Sequence, residues 1–198
     1  MEIVAATRNK KKIEEIRRIL KGMPVTLLSL DDFPGCPPVE ETGKSFMENA
    51  VIKARAVAGF TGKPSLADDS GLEVYALGGA PGVYSARYAG LWATDSENAA
   101  KLLREMESIP DGKRGARFAC ALAIAVPDGS LETFEGYVEG RIGREPKGEA
   151  GFGYDPVFYP EGHDRTFAEM SSGEKDGMSH RGRALQRLKG HLMKKTGG

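Results

Sequence analysis

The chain has 198 residues, 28 Lys+Arg against 28 Asp+Glu, 3 His and 2 Cys, a length that suits one domain with a sizeable core. Cys36 and Cys120 are too few for a disulfide scaffold and carry no metal-knuckle spacing, and the longest apolar run, Ala119–Val126, is far shorter than the roughly 18 residues of a membrane span. Balanced charge and an N-terminus that enters an apolar run without a basic leader argue against a secreted, membrane-spanning or disordered protein, and against a dedicated nucleic-acid coat.

Glu2–Ala6 reads as a buried strand. Ile13, Ile16, Ile19 and Leu20 then recur at helical spacing, with Asn9 as N-cap, Glu14 and Glu15 near the first turn and Gly22 as the stop. Val25–Leu30 is a second strand, and the proline-rich Asp31–Val39 an irregular loop. A second helix is predicted over Lys44–Ala58, where Phe46, Ala50, Ala54 and Val57 share a face between Ser45 and Gly59. Ser65–Ala67 is a short strand leading into Asp68-Asp69-Ser70-Gly71, with Leu72–Leu77 as its continuation and Gly78–Gly82 as a turn. Asp95 or Ser96 caps a third helix through Met106.

Phe118, Cys120, Leu122, Ile124 and Val126 alternate with Ala119, Ala121, Ala123 and Ala125, the pattern of a strand covered on both sides. Pro127–Ser130 turns the chain into the partner strand Leu131–Val138. Val157–Tyr159 is a further strand, and the last helix runs from about Ser179 to Lys195 with Leu185, Leu188 and Leu192 as its stripe. The sum is a mixed sheet with helices, α/β or α+β, around one chain-wide core.

Two phosphate motifs fail. Gly43-Lys44-Ser45 ends like a P-loop, but Pro38 stands where the first glycine belongs and no strand precedes it. Gly151-Phe-Gly153 begins like a dinucleotide fingerprint, but Pro156 replaces the third glycine.

Four clusters remain. Thr7 to Lys12 joins a strand to a helix N-terminus and offers hydroxyl, carboxamide and ammonium donors to an anion; a capped helix with solvated lysines is the plainer alternative. Asp68-Asp69 and Glu40-Glu41 are clustered carboxylates, which together call for a cation; oxygen-only ligands suit Mg²⁺. Taken singly they also fit an Asx-rich turn and an acidic helix flank. Phe152-Gly153-Tyr154-Asp155 offers an aromatic face and an acceptor, and Lys175 with Ser179-His180-Arg181 offers donors at the start of the last helix. Together they are the parts needed to hold a metal–nucleotide complex.

In this order along the chain, Ala6-Thr7-Arg8-Asn9 with Lys12 and Glu15, Glu40-Glu41-Thr42-Gly43, Phe46-x-Glu48-Asn49-Ala50-x-x-Lys53-Ala54, Ala67–Leu72, Gly79–Tyr88, Gly151–Pro156 and Ser179–Gly182 resemble the inosine/xanthosine triphosphate pyrophosphatases of the HAM1 or RdgB type. The resemblance spans essentially residues 1–198 as a single domain, and departs only at Arg8 and in the loop Asp31–Val39. It implies an elongated, curved mixed β-sheet flanked by helices, with two lobes and a central cleft. It implies Mg²⁺-dependent hydrolysis of ITP, dITP and XTP to the monophosphate and pyrophosphate, by a cytoplasmic homodimer with no nucleic-acid or membrane partner. Carried over by motif, Thr7, Arg8, Asn9, Lys10, Lys11, Lys12 and Lys53 hold the triphosphate. Asp69 is general base and metal contact, Glu40 a metal ligand, Asp68 a further candidate ligand and Ser70 a substrate contact. Phe152 stacks on the base, while Gly153, Tyr154, Asp155, Lys175, His180 and Arg181 line its edge and the sugar.

The donors of Lys175 and Arg181 suit the C6 oxygen of hypoxanthine or xanthine and would oppose the amino group of adenine. Two rivals stand beside this reading. A non-catalytic nucleotide- or RNA-binding module accounts for the basic C-terminal helix but leaves Asp68, Asp69 and Glu40 unexplained. A Maf-type pyrophosphatase of modified nucleotides shares the chemistry but has different motifs.

Overall fold

The computed structural model describes residues 1–196, with side chains through residue 194. In chain order the elements are β1 (Glu2–Ala5), α1 (Lys10–Ile19), β2 (Thr26–Leu28), α2 (Phe46–Thr61), β3 (Ser65–Val74), α3 (Asp95–Glu105), β4 (Gly115–Ala125), β5 (Leu131–Ile142), β6 (Phe158–Pro160), α4 (Ser172–Met178) and α5 (His180–Thr196). The strands form one mixed sheet in the order β2-β1-β3-β4-β5-β6. β1 lies parallel to both β2 and β3, with Val4 opposite Leu28 and Ser65, and β5 runs antiparallel to β6 with Arg141 opposite Tyr159. Parallel neighbours require long crossovers, which α1 and α2 supply.

The chain divides into two compact units, the first made of Met1–Asp69, Cys120–Gly136 and Arg181–Gly198, the second of Ser70–Ala119 and Tyr137–His180. β3, β4 and β5 each contribute residues to both.

Unit 1 has two apolar clusters, one for each face of its strands. Cys120, Leu122 and Ile124 of β4 bury against Ile16 and Ile19 of α1 and Leu185 and Leu188 of α5. Ala121, Ala123 and Ala125, which point the other way, bury with Ala50, Ala54 and Val57 of α2. The strand's period of two sorts large residues to one face and alanines to the other, as the sequence pattern predicts. Full burial of a leucine such as Leu185 or Leu188 contributes about 1.5–3 kcal/mol.

Unit 2 has its own cluster, including Leu72, Leu102, Met106, Val138 and Val157 with the aromatics Phe118, Tyr154, Phe158 and Phe167. Ring centroids of Phe118 and Phe158 lie 4.7 Å apart, and those of Phe158 and Phe167 5.3 Å. One buried cation braces this unit. Arg114 donates from Nε to the Ile142 carbonyl at 2.9 Å, from Nη2 to that of Gly143 at 2.7 Å, and from Nη1 to Ile109 at 3.2 Å and to Met106. Burial draws its pKa below the usual arginine value.

The expected single core is thus three clusters among the described residues. Asp68, Asp69 and Ser70, for which an Asx-rich turn was the alternative, lie inside one continuous β3. Thr94 rather than Asp95 or Ser96 caps α3, through a capping box with Glu97, and α2 ends at the left-handed Gly62, not at Gly59. Helix α4 has no counterpart in the sequence reading; its signal was Ser171-x-x-Glu174, which closes a capping box in the structure. α5 therefore starts at His180, and Lys175 belongs to α4 rather than to the start of the last helix. Among the described residues no helix is long and apolar enough to cross a membrane.

Candidate active site

The acidic group is built on β3 within unit 1. Consecutive strand residues point to opposite faces, so Asp68 sits on the α1/α5 side with Leu66 and Cys120, and Asp69 on the α2 side with Ala67. The two carboxyls accordingly meet different partners.

Asp68 is almost completely buried. Arg181 of α5 donates from Nε to Asp68 Oδ2 at 2.9 Å and from Nη2 to Oδ1 at 3.3 Å, Lys12 of α1 pairs with Oδ1, and the Cys120 thiol donates to Oδ2 at 3.0 Å. The second end of Arg181 pairs with the buried Glu15. Burial alone would raise the Asp68 pKa, but Arg181 and Lys12 outweigh it and hold the carboxyl well below the usual range. Burial and the Asp68 charge push the Cys120 thiol well up.

The cation bonded to Asp69 is Lys53, with Lys12 acting on the carboxyl at longer range. Lys53 of α2 donates to Asp69 Oδ1 at 2.8 Å, to Glu41 Oε1 at 2.7 Å and to the Asp68 carbonyl at 2.9 Å. Burial raises the Asp69 pKa, and Lys53 only partly restores it. Burial disfavours the Lys53 charge, yet Asp69 and Glu41 carry its pKa above the usual lysine value. An exposed pair would be worth little; these side chains are mostly buried, 12% exposed for Lys53 and 11% for Asp69.

The expected triphosphate and metal residues fall around these groups. Asn9 caps α1 and accepts from the Lys12 amide at 3.3 Å, and Thr7 Oγ1 accepts from the Asn9 amide at 3.1 Å. Arg8 reaches the Cys36 carbonyl at 3.0 Å, and Lys10 and Lys11 are exposed. Lys12 and Lys53 already face carboxylates. Glu40 is exposed; the neighbouring Glu41 is the glutamate whose carboxylate meets Lys53. Glu15, expected near the first turn of α1, lies beyond that turn and is buried on Arg181. Ser70 is half-buried next to Asp69 on β3.

Among the described residues no group of three or more His, Cys, Asp and Glu is placed to hold a metal by itself. A hard cation such as Mg²⁺ needs only one or two carboxylates when phosphates and water complete its shell. Asp69 and Glu41, converging on one ammonium, are such a pair. Lys12, Lys53 and Arg181 face the carboxylates of Glu15, Glu41, Asp68 and Asp69.

The aromatic group belongs to unit 2. Asp155 Oδ2 accepts from Lys175 Nζ at 2.6 Å and from the Phe152 amide at 2.8 Å, and that ammonium lies 4.9 Å from the centroid of the half-buried Phe152 ring. Gly151 is left-handed at φ 76°, and a Cβ there would come within 2.9 Å of Asp155 Cγ, so only glycine lets the turn close on the carboxylate. Gly153 takes φ 62° in the same turn. Tyr154 is buried and donates to the Ser85 carbonyl at 2.9 Å, while Ser85 Oγ accepts from the Leu72 amide at 2.9 Å. Burial, chiefly, raises the Tyr154 pKa.

His180 stacks on Phe118, with centroids 4.7 Å apart at 10°. Phe152, Asp155 and Lys175 are therefore brought together, whereas Tyr154 and His180 make core contacts of their own. Arg181, expected at the base edge, spends its guanidinium on Asp68 and Glu15 in unit 1. The sequence reading assigned no role to Asn49, whose signal is its i, i+4 spacing to Lys53 on α2.

The family model described as the Ham1 family matches residues 3–191. A dITP/XTP pyrophosphatase from Geobacter sulfurreducens is 55% identical over 190 residues, 96% of each chain, and one from Desulforamulus reducens is 52% identical over 187 residues, 94% of this chain and 93% of the relative. The structure of a HAM1 protein from Coxiella burnetii superposes with a TM-score of 0.90 at 45% identity, covering 98% of this chain and 99% of the other. With that reach of family model, sequence and fold, the chain belongs to the Ham1 family.

Proposed function

We propose that this protein is a nucleoside triphosphate pyrophosphohydrolase that cleaves dITP, ITP and XTP to the monophosphate and pyrophosphate with Mg²⁺. The observation that carries the reading is the convergence of Asp69 and Glu41 on the ammonium of Lys53. That arrangement gives a buried carboxylate for a water, a second carboxylate for a cation and a fixed positive charge for a polyanion. The relatives at about half identity are named dITP/XTP pyrophosphatases, which supports dITP and XTP among these substrates.

Phosphoryl chemistry asks mainly for positioning and charge stabilisation. Asp69 orients and deprotonates the attacking water through a carboxyl whose raised pKa suits a base. Lys53 and Lys12 stabilise the departing pyrophosphate, and Thr7 with the α1 N-terminus adds donors. Asp69 and Glu41 would hold Mg²⁺, which when bound supplies neutralising charge to the phosphate oxygens.

Phe152 stacks on the purine, and Lys175, fixed by Asp155, presents an ammonium that suits an oxo-purine and opposes the amino group of adenine. The homodimer, the cytoplasmic setting and the absence of a nucleic-acid partner belong to this proposal and rest on family membership.

The test is pyrophosphate release from a panel of dITP, ITP, XTP, GTP and ATP with and without Mg²⁺. Strong turnover of the first three with Mg²⁺ is expected. Comparable turnover of ATP would overturn the reading.

A further inference from the structure

We infer that Asn49 is a positioning residue that sets the spacing between the carboxylates of Asp69 and Glu41, an inference that rests on the pyrophosphohydrolase reading. Asn49 lies in the second turn of α2, 1% exposed, one helical turn before Lys53. Its Oδ1 accepts from the Gly43 amide at 2.8 Å and its Nδ2 donates to Asp69 Oδ2 at 3.3 Å. The amide orientation is fixed by chemistry: Gly43 offers an N–H and must face the oxygen, which turns the NH₂ toward a carboxylate that can only accept.

The consequence is a division of labour over one carboxyl group. Lys53 holds Asp69 Oδ1 and Asn49 holds Oδ2, so the carboxylate plane is fixed at both oxygens from a single helix face. The same carboxamide ties down the loop that carries Glu41, two residues before Gly43. Glu48 assists by accepting from the Lys44 amide at 2.6 Å. The approach is close: a Cβ on Gly43 would lie 2.7 Å from Asn49 Oδ1 and 2.6 Å from Glu48 Cβ. Strand, helix and loop thus meet at one side chain that touches neither water nor phosphate in the proposed reaction.

The substitution Asn49→Asp separates the two bonds. It keeps an acceptor for Gly43 and replaces the donor to Asp69 with a like charge. Asn49→Ala removes both. The parent is first assayed on dITP with Mg²⁺; inactivity there sinks the pyrophosphohydrolase reading itself and the inference with it.

With an active parent, the expected result for both variants is a kcat lower by about 10²-fold, the cost of misplacing a reacting group by roughly 1 Å, with KM for dITP within about threefold. Hydrogen exchange at the Gly43 amide gives a readout independent of turnover: protection is retained in Asn49→Asp and lost in Asn49→Ala. Gly43→Ala, which pushes the loop away while keeping Asn49, should lower kcat in the same direction. Parent-like kcat in Asn49→Asp, or equal loss of Gly43 protection in both variants, overturns the inference while leaving the pyrophosphohydrolase reading intact. If Asn49→Asp does not fold, Gly43→Ala decides: a parent-like kcat overturns the inference.

Discussion

Arg181 and Asp68 stand 113 positions apart in the chain and meet at 2.9 Å in the interior of unit 1. Asp68 is thereby spoken for by Arg181, Lys12 and the Cys120 thiol, while its sequence neighbour Asp69 answers to α2. Two adjacent aspartates have been given different work by the alternation of one strand.

Substitution separates them. Asp68→Asn leaves Arg181 and Lys12 short of counter-charge in a buried setting and should cost about 3 kcal/mol of stability, read as a lowered melting temperature. Asp69→Asn should instead keep the fold and lower pyrophosphate release by about 10²–10⁴-fold, the range for a lost general base. Near-normal turnover by Asp69→Asn with saturating Mg²⁺ would remove Asp69 from its role.

Acid unfolding should expose the same pairing. The folded Asp68 pKa lies below its value of about 3.9 in an unfolded chain. The native state therefore binds fewer protons there, and the stability that Asp68 contributes is complete above about pH 4 and is lost as pH falls through its lower folded value. Denaturant titrations across this range should show a steeper acid loss in the parent than in Asp68→Asn.

Much of this was legible in the letters, and the reasons differ from place to place. The large/alanine alternation of β4 told both faces of its burial because strand geometry is local. The cap at Asn9 was legible for the same reason. Which of Glu40 and Glu41 meets Lys53 was not, since it depends on how an irregular loop is drawn onto α2 by Asn49 and Glu48. Nor was the placement of Arg181: its motif marks it as functional, but only the fold decides whether its donors meet a base or a buried carboxylate. Helix α4 is hard to read in the letters because two glycines and a short span mask its capping box.

At the aromatic end, Phe152→Ala should weaken dITP binding by roughly 10–100-fold, the equivalent of about 1–3 kcal/mol of base stacking, while kcat changes little. KM and product inhibition by dIMP measure this. Gly151→Ala should act in the same direction by displacing Asp155, and with it the ammonium of Lys175.

Chelation should abolish pyrophosphate release and added Mg²⁺ should restore it. The Mg²⁺ titration also ranks the glutamates: Glu41→Gln should raise the half-saturating concentration about tenfold, near 1.4 kcal/mol, and by more than Glu40→Gln does. The reverse ranking would return the ligand role to Glu40.

The brace made by Arg114 behaves differently from every ion pair around it. Its bonds run to the carbonyl dipoles of Met106, Ile109, Ile142 and Gly143, out of reach of dissolved counter-ions. Concentrated salt weakens exposed partnerships such as Arg144 with Asp111, yet it leaves that four-carbonyl clasp intact. The end of α3 and the end of β5 are thus fastened by a charge that ionic strength does not loosen.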